Sequence, residues 1–158
     1  MRWHERLVIL VMTSALLLEA SCIDIAGKWT RDEVSRITSP SGEVDAVLVE
    51  ENGGPTISAF GYQVFLVKSG EKYDSGIEAA YIYGAVRSEH AWGVDLDWIE
   101  PKVLSVEYLR AKAEAKVTSP IQINGEEFEI RLKSGIEDPK ALSGGMLYNL
   151  QKSSGFKQ

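Results

Sequence analysis

The chain has 158 residues, with 17 Lys and Arg against 23 Asp and Glu, a net charge of −6, 44% apolar residues and 25% charged residues. This is the composition of one soluble globular domain, and it excludes a coiled coil, a collagen-like repeat and a disordered polar tail. Acidity without a Lys or Arg cluster excludes nucleic acid as the main partner, and one cysteine with two histidines excludes a disulfide framework and leaves little material for a zinc site.

Arg2 and Arg6 open a leader whose residues 7–18 are uncharged and mostly apolar. Such a stretch is shorter than the about 20 residues that cross a bilayer, and it fits the apolar region of an export signal. The single cysteine follows in Leu18-Glu19-Ala20-Ser21-Cys22. Ala20, Ser21 and Cys22 resemble the lipobox of bacterial lipoproteins, in which the thiol is acylated and the peptide is cut immediately before the cysteine. Glu19 departs from the aliphatic residue that the family prefers at that place. The resemblance implies that residues 1–21 are a signal peptide, that Cys22 is lipidated, and that the protein is held on the periplasmic face of a bacterial membrane. Ile23 stands where retention at the inner membrane uses Asp, which implies the outer membrane in a two-membrane cell. Cleavage after Ala20 or after Cys22, giving a soluble secreted or periplasmic protein, is the alternative, and an uncleaved anchor is a third reading. Acyl chains contribute about 0.8 kcal/mol per buried CH₂, so more than one chain anchors a protein without a spanning helix.

Residues 22–32 read as a linker. From residue 33 the pattern is period-two alternation broken by Gly, Pro, Ser and Asn, which predicts a single, mainly β domain over residues 33–150. The expected fold is an antiparallel meander sheet or small sandwich of about six to eight strands after an N-terminal signal helix. Strands are predicted at residues 33–38, 44–50, 62–68 and 78–86, the third apolar enough for burial on both faces. Ser39-Pro40-Ser41-Gly42, Asn52-Gly53-Gly54-Pro55 and Ser69-Gly70-Glu71 supply the turns. Residues 93–110 form a hairpin: Val94, Leu96 and Trp98 alternate with Asp95 and Asp97, Glu100-Pro101-Lys102 interrupts, and Leu104, Val106 and Tyr108 resume. Residues 109–116 extend that strand or form a helix. Ile121 and Ile123, then Asn124-Gly125, then Phe128, Ile130 and Leu132 form a second hairpin, because Asn-Gly accepts the positive φ its turn requires. Asp138-Pro139 opens a short helix toward Leu150, and residues 151–158 are a flexible tail.

The run Ser39-Pro40-Ser41-Gly42-Glu43, the strand that follows it and Gln63-Val64-Phe65-Leu66-Val67 resemble one blade of the Ser-Pro-Asp-Gly type of β-propeller. Blades of about 40 residues, four or more to a propeller, exceed this chain, so the likeness implies a local meander only. Ser39-Pro40, Gly54-Pro55-Thr56 and Asp97-Trp98 also resemble a group of small bacterial exported lipoprotein-like β domains, a likeness that implies a fold and no activity.

Candidate chemistry is sparse. His90 lacks a Gly-x-Ser-x-Gly elbow to supply a nucleophile, so it reads as a loop residue. Asp95 and Asp97 share one strand face about 6–7 Å apart, a spacing that suits paired carboxylates or a calcium site, but it is equally that of a solvated sheet face. Tyr62, Tyr81, Tyr83, Trp92, Trp98 and Tyr108 read as core and cross-strand pairs before an aromatic ligand patch. The glycines at positions 53 and 54 lack the Gly-Lys-Ser/Thr end of a phosphate loop. No cofactor, metal ligand set or catalytic residue is assigned. The expected function is that of an exported, lipid-anchored, non-catalytic envelope domain that binds a protein or envelope component. Alternatives are a small hydrolase using Asp95, Asp97 or Glu100 with His90, and an immunity or inhibitor protein steered by its acidity to a basic envelope enzyme.

Overall fold

The Val-rich run at residues 44–49 is solvent-inaccessible on both faces, which places its strand inside a sheet that is covered on two sides. The computed structural model describes residues 29–53, 59–88 and 90–137. Among them are nine strands: β1 (Thr30–Thr38), β2 (Val44–Asn52), β3 (Gly61–Lys68), β4 (Ile77–Tyr83), β5 (Val94–Glu100), β6 (Val103–Tyr108), β7 (Lys116–Val117), β8 (Ile121–Ile123) and β9 (Glu126–Ser134). The chain is mainly β, as its alternation predicts. One sheet has the order β1-β2-β3-β4-β7 and the other β5-β6-β9-β8.

The inward residues of both sheets meet in one core. Leu48, Tyr62, Val64, Leu66 and Ile82 of the first sheet join Leu96, Leu104, Val106, Phe128 and Ile130 of the second. Each such aliphatic or aromatic side chain contributes about 1.5–3 kcal/mol on burial, so this shared layer is what holds the sheets together. A second cluster lies on the far face of the first sheet, where Val47, Val49 and Val67 pack with Phe65 and Tyr73. The Phe65 and Tyr73 rings meet at 5.5 Å, which brings the short 3-10 turn Tyr73–Ser75 over the β3 surface.

Both predicted hairpins form. Asn124 (φ 54°) and Gly125 (φ 81°) take the left-handed turn that joins β8 to β9. The structure departs from a purely antiparallel meander at one place, since β9 pairs with β6 in parallel from Val103↔Glu129 to Tyr108↔Ser134. Parallel neighbours need a long crossover, and residues 109–125 supply it by visiting the first sheet as β7 and returning as β8. Residues 109–116 therefore do not extend β6 and are not helical: β6 ends at Tyr108 and the chain is irregular until Lys116. The strand predicted at residues 78–86 stops at Tyr83, because Gly84 turns the chain with φ 67°. β1 starts at Thr30, inside the stretch read as linker. The signal helix, Cys22, the Gly54-Pro55-Thr56 segment, the helix after Asp138 and the tail lie outside the described residues. No helix among the described residues is long and apolar enough to cross a membrane.

Candidate functional site

The carboxylates singled out in the sequence lie along an open sheet face. Asp95 and Asp97 alternate outward on β5, exposed, opposite Glu107 and Ser105 of β6. Glu100 ends the same strand, exposed and 4.0 Å from Arg131. Five residues of strand put it about 17 Å from Asp95, too far for both to serve one reacting atom. Glu107 accepts from Lys133 Nζ at 2.9 Å and Ser105 Oγ at 2.7 Å, bonds that hold its carboxyl below the usual range, so this face is a ladder of cross-strand charges. His90 is exposed in the turn closed by the Arg87↔Trp92 bridge, its backbone N–H donating to Ser88 Oγ at 3.2 Å. Among the described residues no group of three or more His, Cys, Asp or Glu is placed to hold a metal ion.

The aromatic residues divide differently from the sequence expectation. Tyr62 is buried in the core, and Trp98 and Tyr108 pack against that core. Trp92, with Tyr62 and the unanticipated Phe60, instead surrounds Arg87.

Arg87 lies on the passage from β4 of the first sheet to β5 of the second, and the backbone there is pinned at several points. Gly84 N–H donates to Phe60 O at 2.8 Å, Val86 N–H to Arg110 O at 2.9 Å, Gly93 N–H to Val86 O at 2.9 Å, and Lys112 N–H to Tyr83 O at 3.0 Å. These bonds draw together segments around residues 60, 87 and 111 that are distant in sequence. The Arg87 side chain is held as tightly: Nε–H donates to Tyr62 Oη at 2.6 Å, a terminal nitrogen pairs with Glu50, and the guanidinium carbon lies 3.5 Å from the centre of the Phe60 ring. Stacking on an aromatic face combined with fork-like hydrogen bonding is a geometry that lysine cannot reproduce. Burial, partly countered by Arg87, pushes the Tyr62 hydroxyl up to about 12, so it stays protonated across the physiological range.

Beside this arginine the surface dips into a concavity of about 490 Å³ lined by Phe60, Ala85, Arg87, Arg110, Ala111 and Lys112 among others. Among the described residues no carboxylate lines it. Among the described lining residues the floor is apolar, the charged groups are cationic, and none is a serine, cysteine or histidine. The Arg87 and Arg110 guanidinium groups at such a surface are hydrogen-bond donors suited to a polar or anionic ligand. Two other concavities differ in kind. One is organised by Arg36, whose guanidinium is closed onto Glu33 and Asp45, and the other shares Arg110 and Ala111 but includes Glu114.

Comparison with protein-family models, with curated proteins and with solved structures finds no match.

Sequence reasoning missed Phe60, Arg87 and Arg110. The only local trace of the site is the loss of period-two alternation between Gly84 and Gly93, both with left-handed φ.

Proposed function

We propose that this chain is an exported, lipid-anchored domain of the bacterial envelope that acts by binding a protein or envelope component and has no catalysis of its own. The anchor reading is supported by the basic and apolar leader, by the lipobox-like Ala20-Ser21-Cys22, and by the start of β1 at Thr30. Eight residues of extended chain, from 22 to 30, reach at most about 28 Å, which keeps the sandwich close to the membrane surface. The observation that carries the binding reading is Arg87, fixed by Glu50, Tyr62 and Phe60 on the rim of a concavity whose described lining residues include no acid, while the carboxylates a hydrolase would use are spread on open solvent. Preorganised cations over an apolar floor are what a binding site needs and are insufficient for hydrolysis.

Mass spectrometry of the mature amino terminus tests the anchor. An acylated Cys22, with Cys22→Ala released from the membrane fraction, is the expected result. An intact chain recovered from the cytosol with Met1 still in place overturns it.

A further inference from the structure

We propose that the turn Asn124-Gly125 is a self-modification site, at which the Asn124 side chain cyclises onto the Gly125 backbone nitrogen and is converted to aspartate or isoaspartate. The site belongs to the β8 to β9 hairpin and stands apart from the binding reading and from lipidation of Cys22.

The conversion needs only water. The Gly125 nitrogen forms a bond to Asn124 Cγ, the bond from Cγ to the side-chain nitrogen breaks, and that nitrogen takes the Gly125 N–H proton and leaves as ammonia. Water then opens the five-membered imide, at Cγ to give aspartate or at the main-chain carbonyl to give isoaspartate.

The hairpin holds the reacting residues close to the geometry of that ring. Ile123 pairs with Glu126, so Asn124 and Gly125 are the whole loop, and their φ of 54° and 81° make a type I′ turn. Ring closure needs the ψ of Asn124 near about −120°, the value at the first central residue of a type II′ turn, where φ is positive as it already is here. A flip of the peptide plane between residues 124 and 125 makes that change, and Gly125 follows freely because it has no Cβ. The strands need not part, since both turn types close a two-residue hairpin. Asn124 and Gly125 are exposed, and a Cβ on Gly125 would have nothing within 4 Å, so the approach is open.

The chain's other Asn-Gly pair, Asn52-Gly53, has the same chemistry in a different setting. Asn52 is the last residue of β2, paired with Thr30 of β1, and Gly53 is buried, so cyclisation there requires that end of the ladder to open first. At position 124 the two products differ in consequence. Aspartate keeps the turn, because Asp-Gly suits the same dihedrals. Isoaspartate carries the main chain through Cβ and lengthens the loop, which strains the Ile123↔Glu126 register. β8 has three residues at the edge of its sheet, with Ile121 and Ile123 buried, so this form loosens part of the core.

Incubation of the purified full chain at mildly alkaline pH, followed by peptide mapping with mass spectrometry, tests the site. The expected result is amide-to-acid conversion at Asn124 about tenfold faster than at Asn52, with two products of equal mass. In urea, where only the sequence acts, the two rates converge. The separated isoaspartate form unfolds at lower urea than Asn124→Asp, whose midpoint matches that of the wild type. An unconverted Asn124 in the folded chain, conversion at Asn52 as fast as at Asn124, a single product, an unchanged rate ratio in urea, or equal midpoints of the isoaspartate form and Asn124→Asp overturns the proposal.

Discussion

Trp98 of β5 donates its indole N–H to the carbonyl of Ile37 on β1 at 3.2 Å, which ties the edge strands of the two sheets together. The same ring meets Phe128 edge-on at 6.0 Å and 68°, so one side chain is both a polar bridge and part of the core. Trp92 is the contrasting case, because its buried Nε1 has no hydrogen-bond partner. Replacing Trp98 by Phe keeps most of the packing and leaves the Ile37 carbonyl without that donor, a loss of about 1–2 kcal/mol. Trp92→Phe removes a donor that gains nothing in the folded state, so its cost is limited to lost area and stays below about 1 kcal/mol. Urea unfolding of the two variants checks this, and equal losses sink the distinction.

The Arg87 network should respond as a unit. Arg87→Lys retains the charge but loses the stacked plane over Phe60 and the fork that reaches Tyr62 and Glu50 together. Glu50 then keeps a largely buried carboxylate with a poorer partner, its side chain being only 13% exposed. A destabilisation of about 2–3 kcal/mol is expected for Arg87→Met, with a coupling of about 1–2 kcal/mol to Glu50→Gln in a double-mutant cycle. Additive effects in that cycle would show that the pair is incidental to stability.

Most of the fold was legible because its signals are local. Alternation marks β5, β6 and β9, continuous apolar runs mark β2 and β3, and Asn124-Gly125 carries the dihedral freedom of its own turn. The parallel pairing of β6 with β9 was not legible, because Leu104, Val106, Ile130 and Leu132 alternate in the same way for a parallel or an antiparallel neighbour. β7 escaped for another reason: two exposed residues, Lys116 and Val117, have too little pattern to read. The basic concavity was hidden by topology, since Phe60, Arg87 and Arg110 come from three separate connections and have no fixed spacing that chemistry would require.

Asp45 sets an acid limit on stability. Burial pushes its carboxyl up, but the Gly70 N–H, the Arg36 guanidinium and the Thr38 and Ser69 hydroxyls outweigh that and hold it below the usual carboxylate range. An unfolded Asp takes up its proton near pH 4 and the folded one only at lower pH, so between those values the unfolded state binds more protons. The stabilisation is therefore complete above about pH 4 and is lost as pH falls through the folded value. Asp45→Asn should flatten this acid limb, and Asp45→Ala should cost about 3 kcal/mol at neutral pH because Arg36 loses a buried partner at 2.8 Å. Unfolding free energies measured across the acid range decide it; an Asp45→Asn limb as steep as that of the wild type contradicts the assignment.

Gly93 and Gly125 separate backbone strain from crowding. Both take left-handed φ, at 78° and 81°, so Ala at either position meets a conformational cost of about 1–2 kcal/mol. A Cβ on Gly125 has nothing within 4 Å, whereas one on Gly93 falls 2.6 Å from Tyr62 Oη and 2.7 Å from its ring carbon. Tyr62 cannot yield, because it is fully buried and holds Arg87. Gly93→Ala should therefore lose about 1–3 kcal/mol more than Gly125→Ala, the added cost of overpacking a closed core. The displacement also reaches Arg87, so Gly93→Ala should weaken whatever binds beside Phe60 while Gly125→Ala, in the distant β8 to β9 turn, leaves that binding unchanged. Equal stability losses in the two variants would mean that the Tyr62 hydroxyl has room to move and that Arg87 is held less firmly than its contacts indicate.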